Sequence, residues 1–264
     1  MKSTVFLGGG RITAALLAGL RLAGYRLPLV VYDRHLQKLR RLHRLYGVTI
    51  ERNLCDALEQ ARLLVIAVRP DAVADLLRQI GEVDRSLTAV SLAAGVPLSQ
   101  LRSRLRPPLH WARAMPSPLC RYRRGLTALT FDRNCPAASR RQVEDLFAQV
   151  GPVMRIPERQ MDAFTVTYSP SLGYHALATL AAAGQKLGLD RRTALAAAAH
   201  ALADAIATGC QGNTRLEGLL QEAATPGGTA AAVMEAMDRA GYQRVVARGL
   251  HAGVKRARRN AAIA

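Results

Sequence analysis

From Thr4 to Ala114 the chain repeats one unit: a short run of apolar, largely β-branched residues, then a stretch with helical periodicity. The runs are TVFLGG (4–9), LPLVVYD (27–33), LLVIAV (63–68), LTAVSLA (87–93) and LHWARA (109–114). They are apolar almost throughout rather than alternating with polar residues, which is how strands buried on both faces of a parallel sheet read. Helix-like segments lie between them at 12–23, 36–46, 56–60 and 71–80. Parallel strands need long crossover connections, so the alternation implies a doubly wound, Rossmann-like α/β domain. A strand at GLTALTF (125–131), a helix at 137–150 and a strand at PVMRIP (152–157) complete it.

After Pro157 the composition shifts to Ala- and Leu-rich helical stretches. They are punctuated by GLDRR (188–192), GCQGN (209–213), AATPGGTAAAV (223–233) and AGYQR (240–244). Such breaks bound helices, so the expected organisation is a dinucleotide-binding domain over 1–157 and an all-α domain over 158–264. Faces this rich in alanine favour close helix packing and pairing with a second copy, a homodimer.

With 264 residues, 50% of them apolar, the chain can build real cores and is neither disordered nor fibrous. No apolar run reaches the roughly 18 residues of a membrane span, and the first residues lead straight into a strand, so a soluble cytoplasmic protein without membrane association is expected. The four cysteines are far apart, with no CxxC pair and no histidine cluster beside them, which argues against a disulfide framework or a metal site. The net charge of +18 suits anionic partners. Its clusters, 34–44, 121–124 and 255–259, come without any helix-turn-helix, zinc-finger or aromatic stacking pattern. They read as solvated helix faces rather than a nucleic-acid surface.

Gly8-Gly9-Gly10-Arg11-Ile12-Thr13 follows the first strand and opens the first helix. Gly8 permits a tight turn, Gly10 lets backbone approach a pyrophosphate, and Arg11 and Ile12 begin the helix whose N-terminal amides favour phosphate. Thr13 stands where the dinucleotide fingerprint has its third small residue. At the end of the second strand Asp33 is placed to bind the ribose 2′-hydroxyl of NAD, and Arg34 beside it to grip the 2′-phosphate of NADP. Both cofactors stay open on this reading.

The Pro-Gly-Gly kink at 226–228 interrupts helix on both sides. Proline and glycine oppose helix by about 3 and about 1 kcal/mol, so the chain turns there, and the turn leaves backbone donors bare.

FLGGGRITAALLAGL, AVRPDAV, LAAGVPLSQL, RAMPSP with GLTAL, MDAFT, AAAGQKLGL and TPGGTAAAV follow one another in this order. Together they resemble the pyrroline-5-carboxylate reductase family over nearly the whole chain. The resemblance implies a Rossmann domain, a helical dimerisation domain, and NAD(P)H-dependent reduction of 1-pyrroline-5-carboxylate to proline. It further implies that Gly227, Gly228 and Thr229 offer donors to the substrate carboxylate, that Ala67, Val68, Arg69 and Pro70 bind cofactor, and that Ala94, Gly95, Met115 and Pro116 flank ribose and nicotinamide.

Three segments depart from the family pattern. MPSPL (115–119) stands for MPNTP, VTYSPSL (166–172) for SGSGPAY, and Ala230 for a second threonine. Tyr168 reads either as a packing residue or as a proton donor to the imine nitrogen. Ser169 and Thr225 are candidate hydroxyl partners for the substrate. A different cyclic or secondary imine therefore remains an alternative substrate, and a non-catalytic binding protein a further alternative function.

Overall fold

The computed structural model describes residues 2–106, 108–211 and 215–263. The chain forms two compact units, one from 1–166 with 253–264 and the other from 167–252.

The first unit is the α/β domain. Its elements are β1 (Ser3–Leu7), α1 (Arg11–Leu22), β2 (Leu29–Tyr32), α2 (Leu36–Tyr46), β3 (Thr49–Glu51), α3 (Leu54–Glu59), β4 (Ala61–Ile66) and α4 (Val73–Ile80). There follow β5 (Leu87–Ser91), α5 (Leu98–Arg104), β6 (Leu109–Pro116), β7 (Thr127–Phe131), α6 (Ala137–Ala148), β8 (Val153–Arg155) and α7 (Met161–Thr167). The sheet runs β3-β2-β1-β4-β5-β6-β7-β8. The order reverses between β1 and β4, and in such a sheet ligands bind beyond the carboxyl ends of the strands at that reversal.

Both faces of the sheet are buried, as the continuous apolar runs require. Successive residues of a strand point to opposite faces: Val5 and Leu7 with Leu64, Ile66 and Trp111 belong to one core, Phe6 with Leu63, Val65 and Phe147 to the other.

The structure adds to the sequence reading in three places. β3 is a short, partly exposed edge strand pairing with β2, too brief to stand out as an apolar run. α5 follows β5 in a segment with no expected helix. β7 pairs antiparallel with β6 in an otherwise parallel sheet. The connection from Pro116 to Thr127 is too short for a parallel crossover, and its middle is a 3-10 turn, Pro118–Tyr122.

The second unit is helical: α8 (Pro170–Lys186), α9 (Arg191–Gln211), α10 (Leu216–Ala223), α11 (Thr229–Arg239) and the first part of α12 (Tyr242–Ile263). Of the expected break at 209–213, Gly212 and Asn213 lie outside the described residues. α8 and α9 meet through small side chains, a Cβ on Gly184 falling 3.5 Å from the Ala194 Cβ. Large apolar residues remain exposed, among them Leu172, Tyr174, Leu195, Ile206, Val233 and Met237. Contrary to the expectation that no apolar run reaches membrane-span length, α9 is by length and composition apolar enough to cross a membrane, with an 18-residue window of mean hydropathy 1.2 inside Arg191–Cys210.

Candidate functional site

β1 ends in glycine because nothing larger fits. Gly8 has φ +110°, and a Cβ there would lie 2.7 Å from the Ala67 carbonyl oxygen just beyond β4. Its N–H donates to the Tyr32 carbonyl at 2.8 Å. Its carbonyl accepts the buried Thr13 hydroxyl at 2.5 Å, so the residue that breaks the glycine fingerprint ties α1 back onto the loop. The sequence gives no sign of this bond, which depends on the way Gly8 turns its carbonyl.

Gly10 is a different case. It is the N-cap of α1 in an ordinary extended conformation, φ −78° and ψ −171°, and a Cβ there would meet no protein atom within 4 Å. Neither a capping side chain nor an acidic residue in the first turn answers the free amides of α1. Those amides and the positive end of the helix are a place for an anion, and the open space beside Gly10 suits a phosphate group. Arg11 is exposed and Ile12 half-buried against the core.

Gly8 and Gly10 line a cleft of about 440 Å³ at the reversal of strand order. One wall is Ala67, Val68 and Arg69, continued by Ala72, Leu76 and Gln79; Arg69 pairs with Asp71 at 3.1 Å and is otherwise exposed. The opposite rim is Asp33, Arg34, His35 and Lys38. The Asp33 carboxylate is engaged on both oxygens, accepting the Gly9 N–H and the His35 N–H, each at 2.8 Å. Lys38 Nζ stands 3.7 Å from it. The rim therefore presents basic groups around a carboxylate already satisfied by backbone. His35 and Lys38 were not singled out by the sequence motif, although both lie in the basic run at the start of α2.

The other cofactor candidates lie outside this lining. Pro70 begins a 3-10 turn, Pro70–Ala72, next to Arg69. Ala94 and Gly95 form the turn beyond β5, against the last turns of α12. Met115 and Pro116 end β6, paired with Ala128 and Thr127.

In the helical unit the Pro-Gly-Gly kink is a β-turn. Gly228 N–H donates to the Thr225 carbonyl at 2.9 Å, Pro226 takes the second position, and Gly227 takes the third with φ +78°, as a type II turn demands. Gly228 is then the N-cap of α11, which has no side-chain cap and no acid in its first turn. Thr225, Gly227 and Thr229 are exposed, so this helix N-terminus too presents free donors. Tyr168 and Ser169 form the link between α7 and α8; Ser169 stands at the N-cap position of α8 without a capping hydrogen bond from its side chain, and its hydroxyl lies 2.6 Å from that of Ser171.

Two family models match the chain: "NADP oxidoreductase coenzyme F420-dependent" over residues 3–95 and "Pyrroline-5-carboxylate reductase dimerisation" over residues 158–260. The pyrroline-5-carboxylate reductase of Mycobacterium leprae is 32% identical, aligned over 93% of this chain and 92% of its own. That of Mycobacterium tuberculosis is 31% identical over 97% and 96%. Among solved structures, the 1-pyrroline-5-carboxylate reductase of Streptococcus pyogenes superposes with a TM-score of 0.88 at 21% identity, covering 97% of this chain and 98% of that one. The Plasmodium falciparum pyrroline carboxylate reductase with NADP bound gives 0.86 at 18%, covering 98% of each. With relatives above 30% identity along nearly its full length, and a glycine-cradled cleft preceding a helical unit that carries the Pro-Gly-Gly turn, the chain belongs to the pyrroline-5-carboxylate reductase family.

Proposed function

We propose that the protein reduces 1-pyrroline-5-carboxylate to proline with NADPH. Identity of 31–32% to curated pyrroline-5-carboxylate reductases along nearly the full length is the observation that carries the reading, and the cleft at Gly8 and Gly10 supports it because its glycine loop, free helix amides and basic rim suit a dinucleotide's phosphates. When bound, NADPH supplies the hydride that reduces the imine carbon. The α1 amides beyond Gly10 hold the pyrophosphate, and Arg34, His35 and Lys38 hold the 2′-phosphate. Asp33, held by two backbone amides, keeps the loop in shape rather than serving as the ribose acceptor, which favours NADPH over NADH. Ala67, Val68, Arg69 and Pro70 form the cofactor wall, and Ala94, Gly95, Met115 and Pro116 its ribose and nicotinamide side.

The amides of Gly227, Gly228 and Thr229, with the Thr225 hydroxyl, bind the substrate carboxylate, since short donors on a tight turn approach a small anion closely. Reduction also needs a proton on the imine nitrogen, and Tyr168, with Ser169 beside it, is the residue proposed to deliver it. The exposed apolar faces of the helical unit, α9 included, become buried between two copies in a cytoplasmic homodimer, rather than in a membrane. Their match to the family's dimerisation model supports this.

The altered segments 115–119 and 166–172 favour a second reading, a cyclic imine of another size, and one experiment separates the two. Oxidation of NADPH and of NADH is followed with 1-pyrroline-5-carboxylate, its six-membered homologue and a carboxylate-free imine. Turnover chiefly with the first supports the proposal; turnover only with another imine overturns the substrate, and silence with all three overturns the reductase.

A further inference from the structure

The turn from Ala94 to Leu98 is held from both ends by the two chain segments that lead into and out of the helical unit. At its start the Asn260 amide, Nδ2, donates to the Ala94 carbonyl at 3.3 Å. Gly95 follows with φ +80°, and a Cβ there would lie 2.0 Å from the Ala257 carbonyl oxygen, so α12 rests directly on the turn's backbone. Ala257 is buried, while Lys255, Arg256, Arg258 and Arg259 are exposed. Gly253, Ala257 and Asn260 thus lie on the helix face turned to the α/β domain, with Gly253 against Val166. At the other end the Leu98 N–H donates to Glu158 Oε1 at 2.6 Å. Glu158 is itself paired at 3.2 Å with Arg113, a residue only 3% exposed whose other amino group lies 3.5 Å from Asp162.

We propose that Asn260 is a positioning residue for cofactor binding, acting through the Ala94–Gly95 peptide; this rests on the reading that the turn flanks the cofactor. A trans peptide is planar, with its N–H opposite its carbonyl. Fixing the Ala94 carbonyl toward Asn260 therefore fixes the Gly95 N–H in the opposite direction. Backbone lies against backbone here, too close for any side chain at Gly95, so the Asn260 amide has only to set the peptide's orientation while Glu158 anchors the far end. The basic segment 255–259, which the charge pattern alone left as a solvated face, gains a role: its two flanking contacts, Gly253 and Asn260, place the end of α12 on the cofactor domain.

The test compares the full-length protein with Asn260→Ala, Asn260→Asp and the exposed neighbour Arg259→Ala. Hydrogen exchange is read between Leu92 and Leu98, and NADPH binding by its fluorescence, with KM and kcat measured alongside. Asn260→Ala is expected to speed exchange in the turn and weaken NADPH binding about three- to tenfold, the range of one lost neutral hydrogen bond. The KM for NADPH rises while kcat at saturation stays within about twofold. Asn260→Asp, which sets a carboxylate against the Ala94 carbonyl, is worse than alanine, and Arg259→Ala behaves as wild type. Unchanged exchange in Asn260→Ala overturns the clamp; faster exchange with unchanged NADPH affinity overturns its role toward cofactor, as does equal weakening by Arg259→Ala. A wild-type protein that binds neither NADPH nor NADH defeats the function proposed above, while the exchange data still decide whether Asn260 holds the turn.

Discussion

The carboxylate of Asp33 accepts the backbone N–H of Gly9 at 2.8 Å, joining the end of β2 to the middle of the glycine loop. This bond, with the second one to His35 N–H, changes what the acid at that position means. An acid free to meet a ribose diol would repel a 2′-phosphate; one bonded to two amides and flanked by Lys38 shapes a loop whose rim is basic.

Arg34→Ala and Lys38→Ala should each raise the KM for NADPH by about tenfold, within the range of a lost charge-assisted hydrogen bond, and leave the KM for NADH nearly unchanged. Steady-state kinetics with both cofactors checks this. Equal losses with NADH would show that these residues do not read the phosphate.

Gly8 and Gly10 separate stability from binding. Gly8→Ala places a Cβ 2.7 Å from the Ala67 carbonyl at φ +110° and should cost about 2 kcal/mol or more. Gly10→Ala, with no protein atom within 4 Å of the new Cβ, should unfold at nearly the wild-type temperature yet bind NADPH at least tenfold more weakly. Thermal unfolding and fluorescence titration on the pair give both answers.

At the Pro-Gly-Gly turn, Gly227→Ala forces an L-residue to φ +78°, at a cost of about 1–2 kcal/mol. The turn should relax out of its type II geometry, raising the KM for 1-pyrroline-5-carboxylate while leaving NADPH affinity within twofold. A parallel loss of NADPH affinity would contradict the assignment of this turn to the substrate.

The cysteines divide by burial. Cys55 and Cys210 are exposed, Cys120 and Cys135 buried. Desolvation pushes the Cys120 thiol from 9.0 up to about 12, against a smaller opposing pull from Arg121, and raises Cys135 as well. A thiol reagent at pH 8 should titrate Cys55 quickly in the native protein, and Cys120 and Cys135 only after unfolding. Because the Cys120 value is raised on folding, its contribution to stability is intact below about pH 9 and is lost as pH climbs toward 12, by up to about 1.4 kcal/mol per pH unit. Cys120→Ala should flatten that slope in denaturation curves measured from pH 8 to pH 11.

The α/β alternation, the helical second half, the glycine loop and the Pro-Gly-Gly turn are legible from the residues in order. Each of these is local: a continuous apolar run, a residue that alone tolerates positive φ, or a helix breaker states its conformation within a few positions. The family followed from the order of such motifs. What depends on the direction of a backbone group, or on residues far apart in the chain, was settled by the fold. The direction of β7 came from a connection too short to cross over, and the Thr13 bond from the turn of the Gly8 carbonyl. That the Asp33 carboxylate serves the Gly9 amide, and that Asn260 reaches back 166 positions to Ala94, are facts of proximity. A hydrogen bond between distant segments leaves no periodicity in a sequence, because nothing in the spacing of residues records which atoms folding will bring within hydrogen-bonding distance.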